Sequence, residues 1–128
     1  MTIQTYSLKK DGDKKLSANF KVKEFACKDG ADKILIDTEL VSMLQKIRDN
    51  FKKPVKITSA YRTDSHNKKV GGATNSYHKK GMASDIQISG IHPVLVAMYA
   101  EKINAGGIGV YSNFVHVDTR DNQSRWVE

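Results

Sequence analysis

The order of elements readable along this chain, helix, strand, long loop, strand, helix and two closing strands, predicts an α+β fold: an antiparallel sheet with helices packed against it. Three observations carry that expectation. The stretch "DTELVSMLQKIRDNF" places Leu40, Leu44, Ile47 and Phe51 at offsets of four, three and four, which lines one face of a helix. "PVKITSAY" and "MASDIQI" alternate apolar and polar residues, the period of two that marks a strand. "IGVY" and "FVHVDT" are then separated only by Ser112 and Asn113, close enough to pair as a hairpin.

Taken in order, residues 1–19 are polar and lysine-rich and are expected to form a loosely attached arm, with "KKDGDKK" as a turn. Residues 20–128 are then expected to form a single domain. "FKVKEFAC" brings Phe20, Val22 and Phe25 together, enough to dock a short segment on the core. The helix that follows has Asp37 in position to cap its N-terminus. Pro54 starts the first strand sharply, and Val55, Ile57 and Ser59 oppose Lys56 and Thr58 across it. Residues 62–80 are polar, carry Gly71 and Gly72 and show no sustained period. They read as a long loop, and long loops inside compact domains are usually functional. In the next strand Ala83, Asp85 and Gln87 share one face, and Ser84, Ile86 and Ile88 share the other. "HPVLVAMYAEKINAGG" is a second helix, with Pro93 in its first turn, Leu95 and Tyr99 facing inward and Gly106 as its stop. In the last strand His116 and Asp118 share one face while Val115 and Val117 point to the other.

Composition bounds the function. At 128 residues, 39% hydrophobic, the chain is one domain with a real core. The single cysteine, Cys27, excludes an internal disulfide and every cysteine-rich metal pattern, and is expected as a buried structural thiol. Any metal must therefore be held by histidine and carboxylate. No apolar run is long enough to span a bilayer, and "MTIQTYSLKKDGDKK" lacks the apolar core of a secretory signal. The expectation is a monomer made in the cytoplasm with no membrane partner. Lys and Arg total 21 against 14 Asp and Glu, a formal charge of +7 that suits an anionic partner. The basic residues are mostly dispersed lysines, without an arginine-rich block or an aromatic-basic RNA signature, so nucleic acid is not the expected partner.

The chemistry concentrates in "SYHKKGMASDIQI" and "FVHVDT". The chain has four histidines, His66, His78, His92 and His116, and two of them sit beside strand aspartates at loop-to-strand positions. Two imidazoles and one carboxylate make a three-ligand set that leaves the fourth position on zinc open, the composition of a catalytic site. His78, Asp85 and His116 fit that requirement. A polar residue alternating with valine, taken alone, means only a wet strand face.

The segments "SAYRTDSHNKKVGGATNSYHKKGMASDI" and "GGIGVYSNFVHVDTR" resemble the two signature blocks of the zinc D-alanyl-D-alanine peptidases, a group of peptidoglycan carboxypeptidases, murein endopeptidases and phage endolysins related in fold to the Hedgehog domain. The resemblance runs from about residue 20 to residue 126. It implies that Ser76, His78 and Asp85 form the Ser-x-His-x6-Asp block that supplies two zinc ligands, and that His116 is the third. It gives Arg62 the task of binding the scissile carbonyl region, with Ser76 beside the substrate. A guanidinium suits this, being permanently charged and able to direct two donors at one oxygen.

The chain departs from several family members at Asn113, where they carry a carboxylate three positions before the last zinc histidine. An amide cannot serve as general base. Asp118, the nearest carboxylate in sequence, is the expected base, with orientation of His116 as its rival role. His66 reads as a loop residue making local bonds, with a place in the cleft as the alternative that the family's His-Asn pair implies; His92 has no functional claim; and Trp126 reads as a lid on the core, with shaping of the substrate groove as its alternative. The resemblance thus implies zinc-dependent hydrolysis of amide bonds in peptidoglycan stem or cross-link peptides, by a protein acting at the bacterial wall, with a phage or prophage lysin as its expected origin. One rival is a catalytically inactive Hedgehog-like zinc-binding or phage structural module, and another is a small basic nucleic-acid binder.

Overall fold

A computed structural model of the chain describes residues 2–128. Strand β1 (Ile3–Ser7), helix α1 (Leu8–Asp11), β2 (Lys15–Ser17) and β3 (Phe20–Lys21) precede a 3-10 turn at Val22–Phe25. Strand β4 (Lys33–Asp37) then leads directly into α2 (Thr38–Phe51). The residues expected as a loosely attached arm are in fact paired from Ile3 onward. β1 runs antiparallel to β4, with Tyr6 opposite Ile34, and β2 pairs with β3. Tyr6, Leu8 and Leu16 pack on the core, and Leu8 N–H donates to Asp32 O at 2.7 Å. The "KKDGDKK" turn is shorter than expected, because its first residues complete α1.

Helix α2 forms as its sequence dictates. Asp37 is its N-cap, accepting from Glu39 N–H at 3.0 Å, and Leu40, Val41, Leu44 and Ile47 are its buried stripe. The chain leaves it through Lys52 in the left-handed region (φ 56°). Cys27 is buried and unpaired, as expected of a structural thiol.

Next come β5 (Lys56–Ser59), α3 (Asp64–Lys69), a second 3-10 turn at Tyr77–Lys80, β6 (Ala83–Gln87), α4 (Pro93–Lys102), β7 (Gly107–Val110), β8 (Val115–Asp118) and β9 (Ser124–Val127). Five of these strands form one sheet in the order β5-β6-β8-β7-β9. All its pairs are antiparallel except β7 with β9. Helix α4 packs against β7, β8 and α2, so the core lies between this sheet and the two long helices. The result is the expected α+β architecture, with β1, β2, β3, β4 and β9 in addition to the strands legible in sequence.

Several local expectations are corrected. Residues 62–80 contain α3 and the second 3-10 turn rather than a featureless loop. Buried Asn67 orders this segment, its amide donating to Ala73 O at 2.8 Å and its carbonyl accepting from Arg62 Nη1 at 3.2 Å. In α4 the buried residues are Val96 and Ala100, whereas Leu95 is 50% exposed and Tyr99 only partly buried. The helix ends at Lys102, before Gly106, and Asn104 takes the left-handed conformation (φ 61°). Among the described residues no helix is long and apolar enough to cross a membrane.

The orientation of these helices is directly testable. Leu44→Ala should destabilise the protein by about 2–5 kcal/mol in urea unfolding, since it empties a fully packed position, whereas Leu95→Ala should change stability by no more than about 0.5 kcal/mol. Equal losses would contradict the exposed placement of Leu95.

Candidate metal centre

The sheet register assembles the centre. On β6 and β8, Asp85 pairs directly with His116. The same row continues to Ser59 on β5, Gly109 on β7 and, beyond it, Trp126 on β9. Because successive side chains in a strand point to opposite faces, Ile86, Val115 and Val117 enter the core, while Asp85 and His116 line a cleft of about 510 Å³ with His78, Arg62, Ser76, Trp126 and others. Asp85 is only 7% exposed.

His78 arrives from the second 3-10 turn, whose N-cap Ser76 accepts from His78 N–H at 3.2 Å. Its ring is buried, and Nδ1 lies 2.7 Å from Ala60 O. A carbonyl only accepts, so Nδ1 carries the proton and Nε2 presents its lone pair to the cleft. His116 is held the opposite way round, with Nε2 2.7 Å from Asp118 Oδ2 and Nδ1 facing the cleft. His78 Nε2 and His116 Nδ1 lie 3.3 and 3.1 Å from Asp85 Oδ1. Each of the three residues offers one donor atom, all within 4.8 Å of one another. Two imidazole lone pairs and a carboxylate oxygen converging in this way fit a single divalent ion with nitrogen and oxygen ligands.

Asp118 lies beneath this cluster and does not line the cleft. It is fully buried, and its oxygens accept from Gly107 N–H at 2.8 Å, Arg120 N–H at 3.1 Å and the Arg120 guanidinium at 2.6 Å, besides His116. These partners occupy the lone pairs a carboxylate possesses. That geometry favours the orienting role over the base role. Two glycines on β7 make room, one for Asp118 and one for Trp126. A Cβ on Gly107 would meet Asp118 Oδ2 at 2.2 Å, and one on Gly109 would meet the Trp126 ring at 2.3 Å.

Arg62 lies beside the cluster, with Nη2 3.6 Å from Asp85 Oδ2 and Nε donating to Ser59 Oγ at 3.2 Å. Trp126 takes the alternative of its two readings and lines the cleft rather than capping the core. Its ring centroid is 5.0 Å from that of His116, and its Nε1–H donates to the Tyr111 hydroxyl at 3.0 Å. His66 and His92 make local bonds, His66 within α3 and His92 as the α4 N-cap. Asn113 is exposed, and its carbonyl accepts from Gln87. Arg120, Tyr77 and Tyr111 also line the cleft and were not singled out from sequence. The "DTR" run places Arg120 two residues beyond Asp118, which was its one available signal.

Electrostatics follow from burial and pairing. Burial pushes the Asp85 carboxyl up, but hydrogen bonds from His116 and His78 outweigh it and leave the group well below the usual carboxylate range. Asp118 is driven the same way, burial being outweighed by His116 and Arg120. Burial lowers His116, yet the bonds to Asp118 and Asp85 leave it raised.

With this fold and this cluster in view, the family is plain: the profile of the peptidase M15 family matches residues 17–118, and the chain belongs to that family, which is zinc-dependent. Among individual proteins it is similar to the peptidoglycan L,D-endopeptidase MepK of Escherichia coli strain K12, with 39% identity over 93 residues, covering 66% of this chain and 51% of that protein. The probable peptidoglycan L,D-endopeptidase MepK of Haemophilus influenzae is 42% identical over 72 residues, covering 51% of this chain and 39% of that protein. The chain thus spans about half the length, or less, of these relatives.

The charge pattern sets a pH profile for the metal-free protein. The two depressed carboxylates contribute stability that is fully present above their unfolded values near ~4 and is lost progressively as pH falls from there toward their much lower folded values. The raised His116 contributes stability that is present below ~6.5 and is lost as pH rises through its folded value. In chelator, the thermal midpoint should therefore peak at mildly acidic pH and fall on both sides, and added zinc should remove the alkaline fall by replacing the proton. A chelated protein equally stable at acidic and alkaline pH would contradict this assignment.

Proposed function

We propose that this chain is a zinc-dependent peptidase that hydrolyses an amide bond in the peptide portion of peptidoglycan at the bacterial wall. The observation that carries the reading is the convergence of His78 Nε2, Asp85 Oδ1 and His116 Nδ1 in an open cleft, with membership of the M15 family behind it. A zinc ion held by these residues supplies Lewis-acid polarisation of the peptide carbonyl and activation of water near neutral pH.

The chain's own residues do the rest. Ala60 O fixes the His78 ring and Asp118 fixes the His116 ring, so both imidazoles present a lone pair without rearrangement. Arg62, 15% exposed at its side chain, supplies a permanent cation to the developing negative charge on the carbonyl oxygen. The Ser76 hydroxyl accepts from His78 N–H and keeps its own proton to donate to the substrate. We assign Asp118 to the orientation of His116 rather than to proton abstraction, because it is buried and fully bonded. All three ligands come from one chain, so a monomer is sufficient. The names of the relatives support cleavage of an L,D bond as an endopeptidase, and the +7 charge suits the anionic wall where a lysin would act.

One observation favours a second reading, a metal-binding module of Hedgehog-like or phage structural type without hydrolysis: among the described residues lining the cleft, Asp85 is the only carboxylate. Mass spectrometry of a defined cross-linked muropeptide after incubation with the zinc-loaded protein decides between the two. Products cut at an L,D bond are expected, and an intact substrate with stoichiometric zinc would establish the module instead.

Three variants test the roles. His78→Ala and His116→Ala should each abolish tight zinc binding in metal analysis, since two remaining ligands hold a catalytic ion poorly. Arg62→Lys should keep zinc and fold but lower kcat about a hundredfold or more. An unchanged kcat would return Arg62 to a structural role.

A further inference from the structure

We propose that Arg120 is a positioning residue for the metal centre, clamping together the two segments that carry His78 and His116; the inference rests on the metal-peptidase reading above. Arg120 follows β8 and folds back over it. Its Nε and Nη2 donate to Asp118 Oδ1 and Oδ2 at 3.0 and 2.6 Å, a fork matched to both oxygens of the carboxylate that holds His116. The Cζ of the same guanidinium lies over the Tyr77 ring, 4.4 Å from its centroid, and Tyr77 is the residue next to His78 on the 3-10 turn. On another side the guanidinium approaches the Trp126 ring at 5.4 Å, and that ring packs on His116.

One side chain therefore bridges the outer partner of one ligand and the chain neighbour of the other. The two ligand rings stand 5.1 Å apart in an edge contact, a spacing that must hold for both donors to reach one ion. The forked bonding is specific to guanidinium; a lysine would retain the charge and lose the fork. This separates clamping from simple neutralisation of a buried carboxylate, which lysine also provides.

The test uses cobalt(II) in place of zinc, because its visible absorption reports ligand geometry directly. Arg120→Lys is expected to bind cobalt ~10–100-fold more weakly in chelator competition, the usual penalty for losing an outer partner of a ligand, and to shift the visible bands. Tyr77→Leu, which leaves Asp118 untouched, should shift the same bands. The double variant should be no weaker than Arg120→Lys alone, since both changes release one clamp. Parental affinity and bands in both single variants would overturn the proposal, as would losses that simply add. Should Arg120→Lys fail to fold, Tyr77→Leu decides alone by the same criterion. A parent protein that takes up no cobalt overturns the metal reading itself, whereas normal uptake in parent and variants alike overturns only the clamp.

Discussion

Asp85 on β6 and His116 on β8 face each other across a single register of strand pairing, and the site depends on that register. A slip of one residue would turn both side chains into the core and bring Ser84 or Ile86 and Val115 or Val117 to the cleft. The apolar residues between them prevent the slip. Ile86, Val115 and Val117 are each no more than 1% exposed against the helices, and exposing them would cost roughly 1.5–3 kcal/mol per side chain. Hydrophobic burial on one face of the sheet thus sets the placement of ligands on the other.

Placing so many polar groups inside the molecule is costly unless each is bonded. Asp37, Asn67, His78, Asp85, His116 and Asp118 are all buried and all have partners. Among the described residues, the one buried side-chain polar atom without a partner is Ser84 Oγ. The fully bonded carboxylate of Asp118 is a fixed negative charge behind His116, where it orients the ring and raises its basicity. A free base would need the opposite surroundings, open and under-bonded.

The N-terminal elements join this framework at the same end of the sheet. Asp37 caps α2 with one oxygen and accepts from Thr119 Oγ1 at 2.5 Å with the other, while its own N–H donates to Gly81 O at 2.9 Å. One buried residue therefore ties β4 and α2 to the residue that follows Asp118 through its side chain and to the turn that follows His78 through its backbone. The β1 to β4 pairing extends this frame rather than hanging from it.

By itself the sequence determined whatever depends on residue type and short-range period. The α2 stripe and its Asp37 cap, the alternation around Asp85 and His116, and the family blocks that name His78, Asp85 and His116 were all legible in one pass. The tertiary structure alone decided which ring nitrogen of each histidine is free, because Ala60 O and Asp118 reach those rings through folded contacts. It also decided that Asp118 points away from the cleft, that Arg120 joins Asp118 to Tyr77, and that Trp126 is a wall. Strands β1 and β9 escaped notice for a related physical reason: "IQTYS" and "SRWV" carry little apolar signal, and each becomes a strand through backbone hydrogen bonds to a partner distant in sequence or turned parallel. Those bonds are made by groups that every residue possesses, so no local pattern of side chains announces them.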